Sequence, residues 1–282
     1  MKLDVSRMSL MTFAMGLDIL TRKITVEQSL LLAKECGVPS VDVMSVPKKK
    51  ISIYQDAVQK TGIAIYCYIT NISFFKSDDV IASAINRELQ TAQQLGAKFL
   101  MIVPGGVSEI RQARRMDRTT VMKRMTHGFQ MAVELSRSIG IKVCFETTPH
   151  DALCLSGTDD CRSVLDMIPD LGLVLDSANM LPHGDTTLNA YAHLKDRIVY
   201  VHLKDVSLIR RRTLLSTPER AADGRIMQCT VWGQGSIPVH ALYEKMLEDG
   251  YTGRFAIEYI PPNVKRRNMD DHIRQLRRYL AY

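Results

Sequence analysis

The sequence predicts an α/β protein folded as a single (β/α)8 TIM barrel over residues 1–282, and three observations carry that expectation. Short runs rich in Val, Ile, Leu and Phe recur eight times. Longer stretches with helical spacing separate them, such as residues 80–95 and 119–139. Those stretches close on glycines, Gly96, Gly140 and Gly250, where a helix C-cap favours a residue that accepts positive φ. Strands covered by helices read as continuous apolar runs, and eight βα units at this length close most economically into a barrel. A doubly wound open sheet is the alternative, but no GxGxxG follows the first run to support it.

In chain order the runs are RMSLMTFA (7–14), SVDVM (40–44), IAIYCYI (63–69), KFLMIV (98–103), KVCFE (142–146), LGLVLD (171–176), IVYVHL (198–203) and RFAIEYI (254–260). The least regular parts are the Arg-rich stretch 209–225, within the seventh βα connection, and the segment 261–268. No linker-like or low-complexity stretch interrupts the series.

Composition narrows the function classes. With 46% hydrophobic and 24% charged residues the chain is too apolar to be disordered. No run approaches the roughly 18 apolar residues of a membrane helix, and Asp4 and Arg7 fall where a signal peptide needs an apolar core. A cytoplasmic protein is expected. Thirty-seven Lys and Arg against thirty Asp and Glu give +7, a modest excess that serves solubility or favours an anionic substrate. The six cysteines form no CxxC pair and several lie in apolar runs, so reduced, buried thiols are expected.

If the barrel closes, the polar residues that end its strands converge on one mouth. Glu146 ends the fifth run, Asp176 the sixth, and His202 and Glu258 lie near the ends of the seventh and eighth. Three carboxylates gathered in apolar surroundings would repel one another and resist ionisation, and a divalent cation removes both penalties. Three oxygen ligands and one imidazole suit Mn²⁺ first, or Mg²⁺, and tolerate Co²⁺ or Zn²⁺. Each acid taken alone would as readily cap a helix or pair with a surface cation; four such residues at successive strand ends argue for a shared role.

FETTPH around Glu146, LVLDSAN around Asp176, VYVHLKDV around His202 and FAIEY around Glu258 resemble the four metal-ligand segments of the xylose isomerase-like TIM-barrel superfamily, in its sugar phosphate isomerase/epimerase branch. The resemblance covers nearly the whole chain, and HLKD (202–205), WGQGSIP (232–238) and DGYTGRFAIEY (249–259) are its most specific parts. It implies one divalent metal held by Glu146, Asp176, His202 and Glu258, with the two glutamates doubling as acid/base groups on either side of a bound ketose. The implied reaction is proton abstraction next to a metal-chelated carbonyl through an enediolate, as in a sugar or sugar-phosphate isomerase or epimerase. Loss of a hydroxyl from the same intermediate gives the alternative, a dehydratase or lyase on a related polyol or keto-inositol, and the sequence leaves that choice open.

The chain also departs from its relatives. Asn179 stands where many carry the His of a DxxH segment; it can hydrogen-bond a sugar hydroxyl but cannot titrate. Ala152 stands where ketohexose 3-epimerases place a further Glu, which argues against a free-hexulose epimerase. His150 is a candidate substrate contact, or simply an exposed loop residue. Arg210, with Arg211 and Arg212, falls where barrels often grip phosphate, unless it is a solvated run or an oligomer contact. Lys204 and Asp205 both follow the seventh run, and alternation points one of them away from the mouth. The glycines of Pro104–Gly106 either face substrate or serve a turn. A small-molecule sugar or sugar phosphate is thus the expected partner, with no nucleic acid and no membrane, and a homo-oligomer is left open. An apurinic endonuclease-like repair enzyme is the distant alternative, but the extra histidines of a zinc cluster are missing at the strand ends. A non-catalytic sugar binder would be signalled by loss of Glu146 or Glu258, and both are present.

Overall fold

The computed structural model of the protein describes residues 3–21, 23–212, 216–260 and 268–281. Along the chain the strands are β1 (Met8–Met11), β2 (Ser40–Met44), β3 (Ala64–Asn71), β4 (Phe99–Val103), β5 (Lys142–Glu146), β6 (Gly172–Asp176), β7 (Ile198–Leu203), β8 (Asp205–Ile209), β9 (Ser216–Arg220), β10 (Ile226–Thr230) and β11 (Phe255–Ile257). β1 to β7 and β11 form a closed barrel in the order β1-β11-β7-β6-β5-β4-β3-β2, with every pairing parallel. The helices are α1 (Gly16–Leu20), α2 (Val26–Glu35), α3 (Ile51–Thr61), α4 (Asp78–Gln94), α5 (Val107–Ala113), α6 (Arg118–Ser136), α7 (Thr158–Met167), α8 (Thr187–Leu194), α9 (Val239–Glu248) and α10 (Met269–Leu280).

The apolar runs are continuous because each strand is buried on both faces. One set of side chains fills the barrel lumen, among them Cys67, Phe99, Met101, Cys144, Val174 and Tyr200. The alternate set, such as Leu100, Val143, Leu173 and Val201, packs outward in the core that includes Leu89, Val133 and Leu165 of the helices. All six cysteines are free thiols, four of them buried.

The runs and the strands differ at their ends. Only Met8–Met11 of the first run is strand: Thr12 donates its hydroxyl to the Asp42 carbonyl (2.8 Å) and the chain turns into a 3-10 segment. The third run extends two residues further, to Asn71, and the eighth shortens to Phe255–Ile257. The stretch 209–225, expected to be irregular, contains the last residue of β8 and all of β9, with β10 just beyond it; the three strands pair antiparallel in the order β8-β10-β9 between β7 and α9. The Arg-rich, polar composition of the stretch hides β9, whose described side chains are the half-buried Glu219 and the exposed Arg220. Of the segment 261–268 only Asn268, which caps α10, lies within the described residues.

Candidate metal centre

The barrel order places four neighbouring strands, β11, β7, β6 and β5, side by side, and these carry Glu258, His202, Asp176 and Glu146 in that sequence around the rim. His202 lies level with Asp176 in the register of β6 and β7. Glu258 sits one residue beyond β11, held there by its backbone N–H on the Leu203 carbonyl (3.1 Å). Ligand atoms from all four lie within 4.8 Å of one another. His202 donates Nδ1–H to Glu146 Oε1 at 2.6 Å. Burial opposes charge on this imidazole, but the charge and hydrogen bond of Glu146 outweigh it and carry the group up to about 9. Asp176 is fully buried; desolvation raises it to about 6 although Lys204 opposes the shift, with Glu258 adding to it. Its Oδ1 accepts the backbone N–H groups of Ala178 (2.7 Å) and Asn179 (2.9 Å), which fixes the carboxylate against the turn that follows β6.

The xylose isomerase-like TIM barrel family matches residues 30–280. The chain belongs to that family. Among its relatives, an inosose dehydratase of Geobacillus kaustophilus (strain HTA426) is 26% identical over 198 residues, which is 62% of this chain and 62% of that protein. The solved structure of an IolI protein with a bound zinc atom matches with a TM-score of 0.72 at 15% identity, covering 97% of this chain and 96% of that one. A 3-keto-D-glucoside 4-epimerase from E. coli, YcjR, matches with a TM-score of 0.69 at 15% identity, covering 98% and 99%. At these identities the structural likeness speaks to the fold.

In this family member the rim fits a divalent cation on three grounds. Three oxygen donors and one nitrogen donor converge. His202 turns Nδ1 toward these carboxylates, 2.6 Å from Glu146 Oε1, so the ring edge facing the cluster carries a nitrogen donor. A positive charge also lies against the carboxylates: the Lys204 ammonium is 3.0 Å from Glu258, 3.3 Å from Asp176 and 3.2 Å from Asn179 Oδ1. Burial disfavours that ammonium, but Asp176 and Glu258 outweigh it and hold its pKa well above the ordinary lysine value.

Lys204 therefore turns into the mouth, and Asp205 turns away. The Asp205 carboxylate accepts the backbone N–H groups of Gly235 (2.9 Å) and Ile237 (3.0 Å). A Cβ on Gly235 would stand 2.1 Å from Asp205 Oδ1, so only glycine admits this contact. Trp232 adds a hydrogen bond from Nε1 to the Leu203 carbonyl (3.1 Å). HLKD and WGQGSIP are thus two halves of one clasp that sets the direction of Lys204.

The other residues singled out in the sequence fall at varied distances from the rim. Asn179, read as a substrate contact, is buried with both ends of its amide engaged: Nδ2 donates to the Thr147 carbonyl (2.9 Å) and Oδ1 accepts from Lys204. His150 lines a cavity of about 620 Å³ beside the mouth, with Arg114 and Ala152, and lies 3.8 Å from Glu219 of β9. Its pKa is lowered by burial, against which Glu219 acts and with which Arg114 acts. Arg210 does not directly follow β7. It stands exposed one residue past the far end of β8, about 20 Å of extended chain from Lys204. The Pro104–Gly106 loop serves a turn into α5, where Glu109 accepts the Gly106 N–H (2.9 Å). Asp151, Asp160 and His183 form another group with metal-ligand spacing, but Arg118 already pairs with both of its carboxylates.

Sequence reasoning missed Asp42. It is buried inside the barrel on β2, where its carboxylate accepts from Tyr200 (2.6 Å) and Ser9 (2.9 Å). Burial raises its pKa, and the nearby His202 together with these two hydroxyls pulls it back. Tyr200 in turn packs edge-on against the His202 ring at 5.3 Å. The available signal was an acid flanked on both sides by valine within an apolar run, SVDVM.

Proposed function

We propose that this protein is a divalent-metal-dependent enzyme that moves a proton next to the carbonyl of a sugar or sugar phosphate, as an isomerase or epimerase. One observation supports the reading above the others: Glu146 and Glu258 occupy the two ends of the four-residue arc, with Asp176 and His202 between them. Carboxylates at opposite ends of a shared site are placed to take a proton from one side of a substrate carbon and return one from the other. Glu146, Asp176, His202 and Glu258 would hold the cation, Mn²⁺ being the first choice. When bound, it would supply fixed positive charge for the negative charge that develops on the substrate oxygens. Glu258 and Glu146 act as base and acid, Asp176 is oriented by two backbone N–H groups, and Lys204 offers its ammonium to a substrate oxygen.

Elimination of water from a related polyol or keto-inositol is the second reading, favoured by the likeness to an inosose dehydratase. A panel of sugars, sugar phosphates and keto-inositols in D₂O with Mn²⁺ separates the two, because epimerisation incorporates deuterium at carbon without losing water. Glu258→Gln is expected to lower that exchange by about 10²- to 10⁴-fold while calorimetry still detects the metal. Full exchange in the variant, or none with any compound in the wild type, refutes the proposal.

A further inference from the structure

The opposite end of the barrel holds a second concavity. It is a funnel of about 940 Å³ at the N-terminal ends of the strands, floored by Tyr66, Phe99 and Val199 and ringed by Lys98, Lys142 and Arg254. Lys98 Nζ lies 5.7 Å from the centre of the Tyr66 ring and 5.4 Å from that of Phe99. The Arg254 guanidinium lies 5.1 Å from the Tyr66 ring and donates to Ser40 Oγ (3.0 Å).

These three cations make no ion pair among the described residues, and the two acids of the funnel are already paired with other cations, one of which, Lys195, also lines it. Asp196 pairs with Arg162 (2.6 Å), and Asp249 with Lys245 (2.7 Å) and Lys195 (3.2 Å). Cations at this end of a barrel commonly serve helix C-termini, whose carbonyls point the same way. Arg197 does so, donating to the carbonyls of Leu165, Ile168, Pro169 and Leu171. Lys98 and Lys142 make no such bond among the described residues. Like charges gathered around a concave floor, without carboxylates or carbonyls to hold them, repel one another unless an anion joins them.

We propose that the funnel is a binding site for a small anion carrying two or more phosphate or carboxylate groups, separate from the metal centre at the other end of the barrel. Its volume falls in the range of small-molecule sites, about 300–1,000 Å³. The cations would grip the oxygens while the rings limit access of water from below.

Isothermal titration of the whole protein, stripped of metal on a chelating resin, with pyrophosphate and separately with citrate tests this at low ionic strength. Saturable binding of at least one anion is expected. Lys98→Gln and Lys142→Gln should each weaken it about tenfold, and Arg111→Gln, on α5 at the opposite end, should leave it unchanged. Both lysines are exposed, so the variants should fold. Tighter pyrophosphate identifies a phosphate ligand and tighter citrate a carboxylate; comparable affinities mean that the site reads oxyanions of either kind. Absence of saturable binding, an affinity untouched by both lysine variants, or an equal loss in Arg111→Gln overturns the proposal. None of these results depends on activity at the metal centre.

Discussion

Replacing Lys204 by Met removes the ammonium at the rim and keeps the aliphatic stem, so the change isolates charge from packing. The lost contacts are those to Glu258 at 3.0 Å and Asp176 at 3.3 Å, with Asp176 wholly buried. Breaking a buried pair by removing one partner costs about 3–5 kcal/mol, and the lower end applies here because a protonated Asp176 relieves part of the penalty. For 282 residues, unfolding entropy of about 2.1 cal/mol/K per residue gives about 0.6 kcal/mol/K, so 3 kcal/mol corresponds to a Tm about 5 °C lower. A divalent cation at about one hundred times its Kd returns about 2.7 kcal/mol, or about 4–5 °C. The variant should gain more from Mn²⁺ than the wild type, whose ammonium competes for the same carboxylates. Thermal unfolding in EDTA and in excess Mn²⁺ measures both shifts. A variant within 1 °C of wild type in EDTA, or one that gains no more from the metal, would refute the reasoning.

Gly235→Ala should drive the Asp205 carboxylate off the Gly235 and Ile237 amides, two bonds worth about 1.5–3 kcal/mol each as bonds to a charged group. Urea unfolding should show a loss above about 2 kcal/mol, and a midpoint equal to wild type would show that the clasp yields without cost. Gly128→Ala within α6 ordinarily stabilises a helix by about 1 kcal/mol. Here the new Cβ would stand 2.3 Å from the Phe74 ring, itself buried against Phe129, so the sign should reverse to a loss of about 1–3 kcal/mol in the same assay.

The barrel was legible because its strands are buried on both faces, which turns each into an apolar run that needs no long-range knowledge to see. The four rim residues were legible for a related reason: a carboxylate or imidazole closing such a run has no local use, as with Glu146 after KVCF and Asp176 after LGLVL. The direction of Lys204 was not legible. Alternation predicts facing only inside a strand, and the chain leaves β7 at Leu203. The partners of Asn179 were hidden too, since its amide is consumed by Lys204 and by the Thr147 carbonyl from two other staves. The placement of Arg210 was hidden as well, because β8 adds a strand between it and the end of β7.

The sequence alone determined the repeating βα unit, the acids and imidazole that end its strands, and the family motifs around them, all properties of contiguous residues. Tertiary structure decided which of the two residues after Leu203 meets the rim, how Asp42 and Tyr200, 158 positions apart, come to be hydrogen-bonded inside the barrel, and that three cations line its far end. The physical reason is closure. Hydrophobic periodicity is written locally, but a polar group is oriented by whichever partner the closed barrel brings within hydrogen-bond reach, and that partner lies on another strand.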